Sequence, residues 1–168
     1  MKNIILIGMM GCGKTTVGRL LAQALGRELV DTDEAIERRE GRSISDIFAQ
    51  DGEGRFRDLE ADLCRELARR EALVVACGGG LPLREGCMDA LGQNGTVFWL
   101  DRDPGETYDG LDTSGRPLAQ GGREAFLERY AQRRPVYSRW ARHVIRAADP
   151  EGAARAILDI LHSEEHAV

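Results

Sequence analysis

Short apolar runs alternate along the chain with stretches in which apolar residues recur every three or four positions. Unbroken runs suit strands buried on both faces, and the spaced stretches suit helices lying against them. Candidate strands are Asn3 to Ile7, Glu28 to Asp31, Ala72 to Cys77, Thr96 to Leu100 and His143 to Arg146. Between them, Val17, Leu20, Leu21, Ala24 and Leu25 form one helical stripe, and Phe56, Leu59, Leu63 and Leu67 form another. Asp103-Pro104 with Glu106, and Asp149-Pro150-Glu151, read as helix starts, each an acidic cap followed by proline at the first helical position. Five strands interleaved with helices predict a doubly wound parallel sheet. The rhythm breaks from Tyr108 to Arg123, where Gly110, Gly115, Gly121 and Gly122 stand among few apolar groups and predict a mobile segment.

Composition narrows the partners. The 168 residues suit one domain, and 42% hydrophobic with 30% charged residues suits a packed core under a polar surface. With 23 basic against 28 acidic residues the net charge is −5, which disfavours nucleic acid and anionic membrane, so any anion must bind at a local site. No apolar run approaches the roughly 18 residues of a membrane span, and the first one turns glycine-rich at once, unlike a signal peptide. Cys12, Cys64, Cys77 and Cys87 lack paired metal spacing and are too few for a disulfide scaffold, which predicts reduced thiols and a cytoplasmic location. His143, His162 and His166 lack metal-spaced partners and are expected at the surface. Among the basic residues only Lys2 and Lys14 are lysine.

The strongest chemical signal follows the first strand. Gly8-Met9-Met10-Gly11-Cys12-Gly13-Lys14-Thr15 matches the phosphate-binding P-loop, glycine, four residues, then Gly-Lys-Ser/Thr. A glycine-rich turn entering a helix aims backbone N–H groups and the positive end of the helix dipole at one point. Lys14 then reaches the β- and γ-phosphates and the Thr15 hydroxyl serves Mg²⁺. A chain that uses Arg almost everywhere keeps Lys here, where a compact point charge fits and a planar fork does not. The same dipole is expected to favour the Cys12 thiolate, making that thiol a candidate for inhibitory oxidation.

A nucleotide-regulated GTPase is excluded: Asp112-Thr113-Ser114-Gly115 spells its DxxG element, but no lysine is available for the Asn-Lys-x-Asp that reads guanine. An ATP-driven motor would need further domains. A small-molecule kinase remains.

The ordered motifs resemble those of shikimate kinases over nearly the whole chain. Gly8 through Gly18, with its trailing Thr15-Thr16-Val17-Gly18, is similar to that family's P-loop. Asp31-Thr32-Asp33, Gly52-Glu53 through Phe56-Arg57 and Glu60, the triple glycine Gly78-Gly79-Gly80, Arg116-Pro117-Leu118 and Arg133-Arg134-Pro135-Val136-Tyr137 follow in family order. The resemblance implies an α/β fold of the P-loop nucleoside-monophosphate-kinase type in a single domain 1–168. It comprises a five-stranded parallel sheet flanked by helices, a substrate-binding region at about 31–60 and a mobile lid at about 108–123. The implied activity is Mg²⁺-dependent transfer of the ATP γ-phosphate to the 3-hydroxyl of shikimate, in aromatic amino acid biosynthesis, by a monomer. Gluconate kinase, with a similar scaffold, is the alternative.

Each implied role also has a chemical reading. A cyclic hydroxy-acid needs cationic forks for its carboxylate and acceptors for its hydroxyls. By resemblance Arg57 and Arg133 are the forks, Asp33 is base or orienter for the attacking hydroxyl, and Gly79 lets the backbone approach the ring. ATP falls to Gly11, Cys12, Gly13, Lys14, Thr15, Thr16 and Arg116, with Lys14, Asp33 and Arg116 catalytic. Metal binding falls to Thr15 and Asp31. Glu60, three residues after Arg57, is a candidate to orient it. Arg116 is expected to swing onto the transferring phosphoryl as the lid closes. Two positions depart from the family: Tyr108-Asp109-Gly110 replaces an Arg that stacks on adenine, leaving Tyr108 to stack instead, and Arg139 stands where an acid is usual.

Overall fold

A computed structural model describes residues 1–111 and 121–167. Five strands form one parallel sheet: β1 (Asn3–Ile7), β2 (Glu28–Asp31), β3 (Leu73–Ala76), β4 (Gly95–Leu100) and β5 (His143–Ile145), in the spatial order β2-β3-β1-β4-β5. Ile4 pairs with Val74 and Thr96, Ile5 with Val75 and Val97, and Leu6 with Ala76 and Phe98, so β1 lies at the centre. All five expected strands are present, with ends shifted by a residue or so. Helices α1 (Lys14–Leu25), α2 (Thr32–Glu40), α3 (Ile44–Leu67), α4 (Glu85–Gln93), α5 (Pro104–Asp109), α6 (Gly122–Trp140) and α7 (Pro150–His166) connect and cover them.

Alternation along the strands divides the core in two. Ile4, Leu6, Val74 and Phe98 face α1 and α7 through Val17, Leu21, Ala153 and Ile157. Ile5, Ile7, Val75, Val97 and Trp99 face α3, α4 and α6 through Leu63, Leu67, Met88, Leu91, Phe126 and Tyr137. Each large side chain removed from water contributes about 1.5–3 kcal/mol, so both faces of the sheet must be covered. Of the expected α1 stripe, Val17 and Leu21 are buried and Leu20 and Leu25 flank them, but Ala24 is exposed beyond its edge.

The caps are those the sequence predicts: Asp103 accepts from the Glu106 N–H at 2.9 Å and Asp149 from the Gly152 N–H at 2.6 Å. A stretch not predicted as helical, Ile44 to Asp51, forms the first part of α3 behind a Ser43 cap, and Gly52 at φ 82° breaks the helix before Glu53. Of the stretch 108–123 expected as a lid, Tyr108 and Asp109 end α5 while Gly122 and Arg123 open α6. Its centre lies outside the described residues.

Because the strands are parallel, the loops after β1, β2 and β3 leave the same edge of the sheet. Open α/β sheets bind ligands there.

Candidate functional site

The P-loop is built by its glycines. Gly11 at φ 79° and Gly13 at φ 97° take left-handed conformations that turn the chain into α1, with Gly13 as its N-cap. The first turn of α1 carries no acidic residue, leaving its N–H groups and dipole to an anion. Lys14 folds back over the loop, its Nζ donating to the Gly8 and Met9 carbonyls at 2.8 Å each. Thr16 follows in the first turn, exposed. The Cys12 thiol is buried against Gly8 in the α1–α7 half of the core and lies 3.7 Å from the Lys14 Nζ that folds over the cradle.

Asp31 has two jobs. Its Oδ1 accepts from the Glu34 N–H at 3.0 Å as the cap of α2, and its Oδ2 accepts from the Thr15 hydroxyl at 2.7 Å. The cap alone would be the ordinary fate of an acid after a strand. The bond to Thr15 joins β2 to the P-loop and sets a carboxylate and a hydroxyl side by side.

Asp33 stands in the first turn of α2 and points across the sheet edge to Gly78. A methyl added to Gly78 would lie 2.6 Å from its Oδ1 and 3.0 Å from its Oδ2. Burial, reinforced by the nearby Asp31 charge, pushes the Asp33 carboxyl up to about 6, against the pull of Lys14. An acid tuned so far toward neutrality is poised to hold or take a proton.

The three glycines after β3 pass between these groups and two guanidinium ions. At Gly79 an added Cβ would come within 3.4 Å of both an Arg133 nitrogen and the Met10 N–H nitrogen of the P-loop. At Gly80 it would meet Arg57 at 3.3 Å and Arg133 at 3.6 Å. The triple glycine is therefore a strap in close contact with the site: a Cβ at 78 would displace the Asp33 carboxylate, and at 79 and 80 it would crowd Arg133 and Arg57. Arg57 is held by Glu60 at 2.5 Å and by Glu53 at 3.1 Å, leaving its outer fork toward Gly80. Glu60 is only 1% exposed, and burial raises its carboxyl above the usual range. Of the adjacent arginines of α6, Arg133 is buried at 9% exposure and turned into this site, whereas Arg134 is exposed.

Thus Lys14, Thr15, Asp31, Asp33, Arg57, Gly79 and Arg133 converge at one sheet edge. Arg116 lies outside the described residues. Tyr108 is half-buried, its ring tilted against Phe126 with centroids 5.5 Å apart at the margin of the apolar cluster under α6. Arg139 is explained by an ion pair with Glu85 of α4 at 2.7 Å and by its place over the Trp140 ring. His143 is half-buried, stacked on Phe98 and 3.1 Å from Glu164, and has no part in the site. Sequence reading missed Thr32, Tyr137 and Glu53 as neighbours of these groups. The helical spacing of Glu53 and Arg57 was the available signal for one, and the other two contacts leave no local pattern.

The family model described as shikimate kinase matches residues 10–162. A shikimate kinase of Symbiobacterium thermophilum is 43% identical, covering 95% of this chain and 94% of its own. The structure of Acinetobacter baumannii shikimate kinase in complex with shikimate superposes with a TM-score of 0.90 at 37% identity, covering 98% of this chain and 94% of that one. The shikimate kinase of Aquifex aeolicus gives 0.84 at 34% identity, covering 97% and 98%. These likenesses span the P-loop, the strap and the arginine pair together, and the chain belongs to the shikimate kinase family of ATP-dependent kinases.

Proposed function

We propose that the chain transfers the γ-phosphate of ATP to the 3-hydroxyl of shikimate, giving shikimate 3-phosphate and ADP for aromatic amino acid biosynthesis. One observation carries the reading. The Asp33 carboxylate stands between Lys14 of the phosphate cradle and the Arg57–Arg133 pair, pressed against the glycine strap at Gly78.

The roles follow from that order. The P-loop amides of Gly11, Cys12 and Gly13, with Thr15 and Thr16 behind them, bind the triphosphate, and Lys14 leaves its carbonyl partners to meet the terminal phosphates. Arg57 and Arg133 grip the shikimate carboxylate as two forks, while Gly79 brings the backbone up to the ring. Asp33 then accepts a hydrogen bond from the attacking hydroxyl and takes its proton as the O–P bond forms. In phosphoryl transfer this alignment matters more than base strength. Arg116 is assigned the closing cation on the strength of its Arg-Pro-Leu motif.

The residues present fit Mg²⁺. Thr15 and Asp31 offer hard oxygen donors 2.7 Å apart at the P-loop, and Mg²⁺ is typically held by one or two protein oxygens with phosphates and water completing the shell. Held there by Thr15 and Asp31, the ion would neutralise phosphate charge. The reading further takes residues 1–168 as one cytoplasmic, monomeric kinase domain with no nucleic-acid or membrane partner. Among the described residues no helix is long and apolar enough to cross a membrane, and all four cysteines are free thiols.

The test measures ADP release by purified protein with ATP and Mg²⁺ against shikimate, gluconate and nucleoside monophosphates in parallel. Turnover with shikimate alone supports the reading. Turnover with gluconate in its place refutes it.

A further inference from the structure

The closeness that favours glycine at 78, 79 and 80 creates a second problem. Three consecutive glycines are the most freely moving backbone a chain can make, and a ligand that must freeze its own floor loses affinity in doing so. Side chains would stiffen the strap from within only by displacing Asp33 at Gly78 or crowding Arg133 and Arg57 at Gly79 and Gly80.

Two buried hydroxyls hold it from outside. The Gly78 N–H donates to Thr32 Oγ1 at 2.9 Å, and the Tyr137 hydroxyl donates to the Gly79 carbonyl at 2.7 Å. Both Thr32 and Tyr137 are 0% exposed. They reach the strap from opposite sides, one from the start of α2 beside Asp33, the other from α6 one turn beyond Arg133. Neither hydroxyl is assigned a chemical step, and the Tyr137 oxygen also meets the Arg133 side chain. The Tyr137 oxygen also lies 3.6 Å from Met9 Sδ, so the same group touches the P-loop. Beyond the clamps the strap passes into a short 3-10 turn, with the Leu81 and Leu83 N–H groups donating to the Gly78 and Gly80 carbonyls.

We propose that Thr32 and Tyr137 are positioning residues which clamp the Gly78–Gly79 backbone and preorganise the floor of the acid-binding pocket, so that their hydroxyls set affinity for the cyclic acid rather than the rate of phosphoryl transfer. This rests on the reading of the strap as the shikimate floor. Neither residue touches the reacting atoms. Removing one hydroxyl leaves a buried strap group without its partner, a defect relieved when the strap moves.

The experiment uses Thr32→Val, Thr32→Ser and Tyr137→Phe in the full chain. Thr32→Val and Tyr137→Phe raise the shikimate KM about tenfold, the factor expected for one buried hydrogen bond left unmade, while the KM for ATP stays near the parent value and kcat changes less than KM. Thr32→Ser keeps the hydroxyl and keeps the KM. Without any substrate, deuterium exchange in the peptide spanning residues 77–84 speeds up in Thr32→Val and Tyr137→Phe, and not in Thr32→Ser. Unchanged shikimate KM together with unchanged strap exchange overturns the proposal, as does a fall in kcat and melting temperature with KM untouched. A wild-type chain inactive on shikimate refutes the functional reading instead, and the exchange arm then still judges the clamp.

Discussion

Asp33 and Gly78 fit together only because one of them has no side chain: a Cβ on Gly78 would press within 2.6 Å of the Asp33 carboxylate. Gly78→Ala therefore displaces the carboxylate without touching the P-loop. A shift of about 1 Å in a reacting group can cost on the order of 10²-fold in rate. Steady-state kinetics should show kcat reduced by about that factor, while calorimetric titration with ADP returns the parent affinity.

Lys14 is one of only two lysines, and it sits where a compact charge must meet phosphate oxygens beside the backbone. Lys14→Ala should lower kcat by about 10²–10³-fold, the usual loss when a fixed charge facing the transition state is removed. Lys14→Arg should not restore it, because a planar fork does not fit over the Gly8 and Met9 carbonyls. The same coupled ADP-release assay reads both variants.

Arg57 neutralises Glu60 and is also the fork proposed for the substrate carboxylate. Arg57→Ala should raise the shikimate KM sharply and also lower Tm by several degrees, since it strands a carboxylate that is 1% exposed, at a cost of about 3 kcal/mol. Adding Glu60→Gln should recover Tm without recovering KM. Thermal melts and kinetics on the single and double variants separate the two contributions.

The Asp33 carboxyl, raised to about 6, gives two pH signatures. An unfolded aspartate titrates near 3.9, so between about pH 4 and 6 the folded chain holds the extra proton, and stability falls as pH rises through that window. Asp33→Asn should accordingly melt higher than the parent at pH 7, with the difference vanishing below pH 4. The parent kcat/KM for shikimate should climb through about pH 6 and then level, and the Asn variant should lose about 10²-fold in kcat.

Much of this was readable before any coordinates. Strand β1 shows as an unbroken apolar run because both its faces are covered, and the P-loop shows because its positive-φ glycines and its lysine are fixed by local geometry. Arg57 and Glu60 share a helix face, so their pairing is also local. What stayed hidden depends on distant parts of the chain. Thr32 meets Gly78 across 46 positions and Tyr137 meets Gly79 across 58, and a hydroxyl gives no hint of such a partner. Side-chain direction was equally hidden: the motif does not tell that the Cys12 sulfur is buried behind the loop, against Gly8 and within 3.7 Å of the Lys14 Nζ. The contact of Tyr108 with Phe126 of α6 was likewise hidden. The helix from Ile44 to Asp51 did carry a signal, Ile44, Ile47 and Phe48 at i, i+3 and i+4 behind the Ser43 cap, with Ile47 fully buried.

The central claim is an arrangement in space, and a crystal structure with shikimate and a non-hydrolysable ATP analogue measures it directly. The account predicts the shikimate carboxylate on the Arg57 and Arg133 guanidinium groups, and the 3-hydroxyl within hydrogen-bonding distance of Asp33 and facing the terminal phosphorus. A ligand bound with its carboxylate toward the P-loop, or with Asp33 turned away from the hydroxyl, would contradict it.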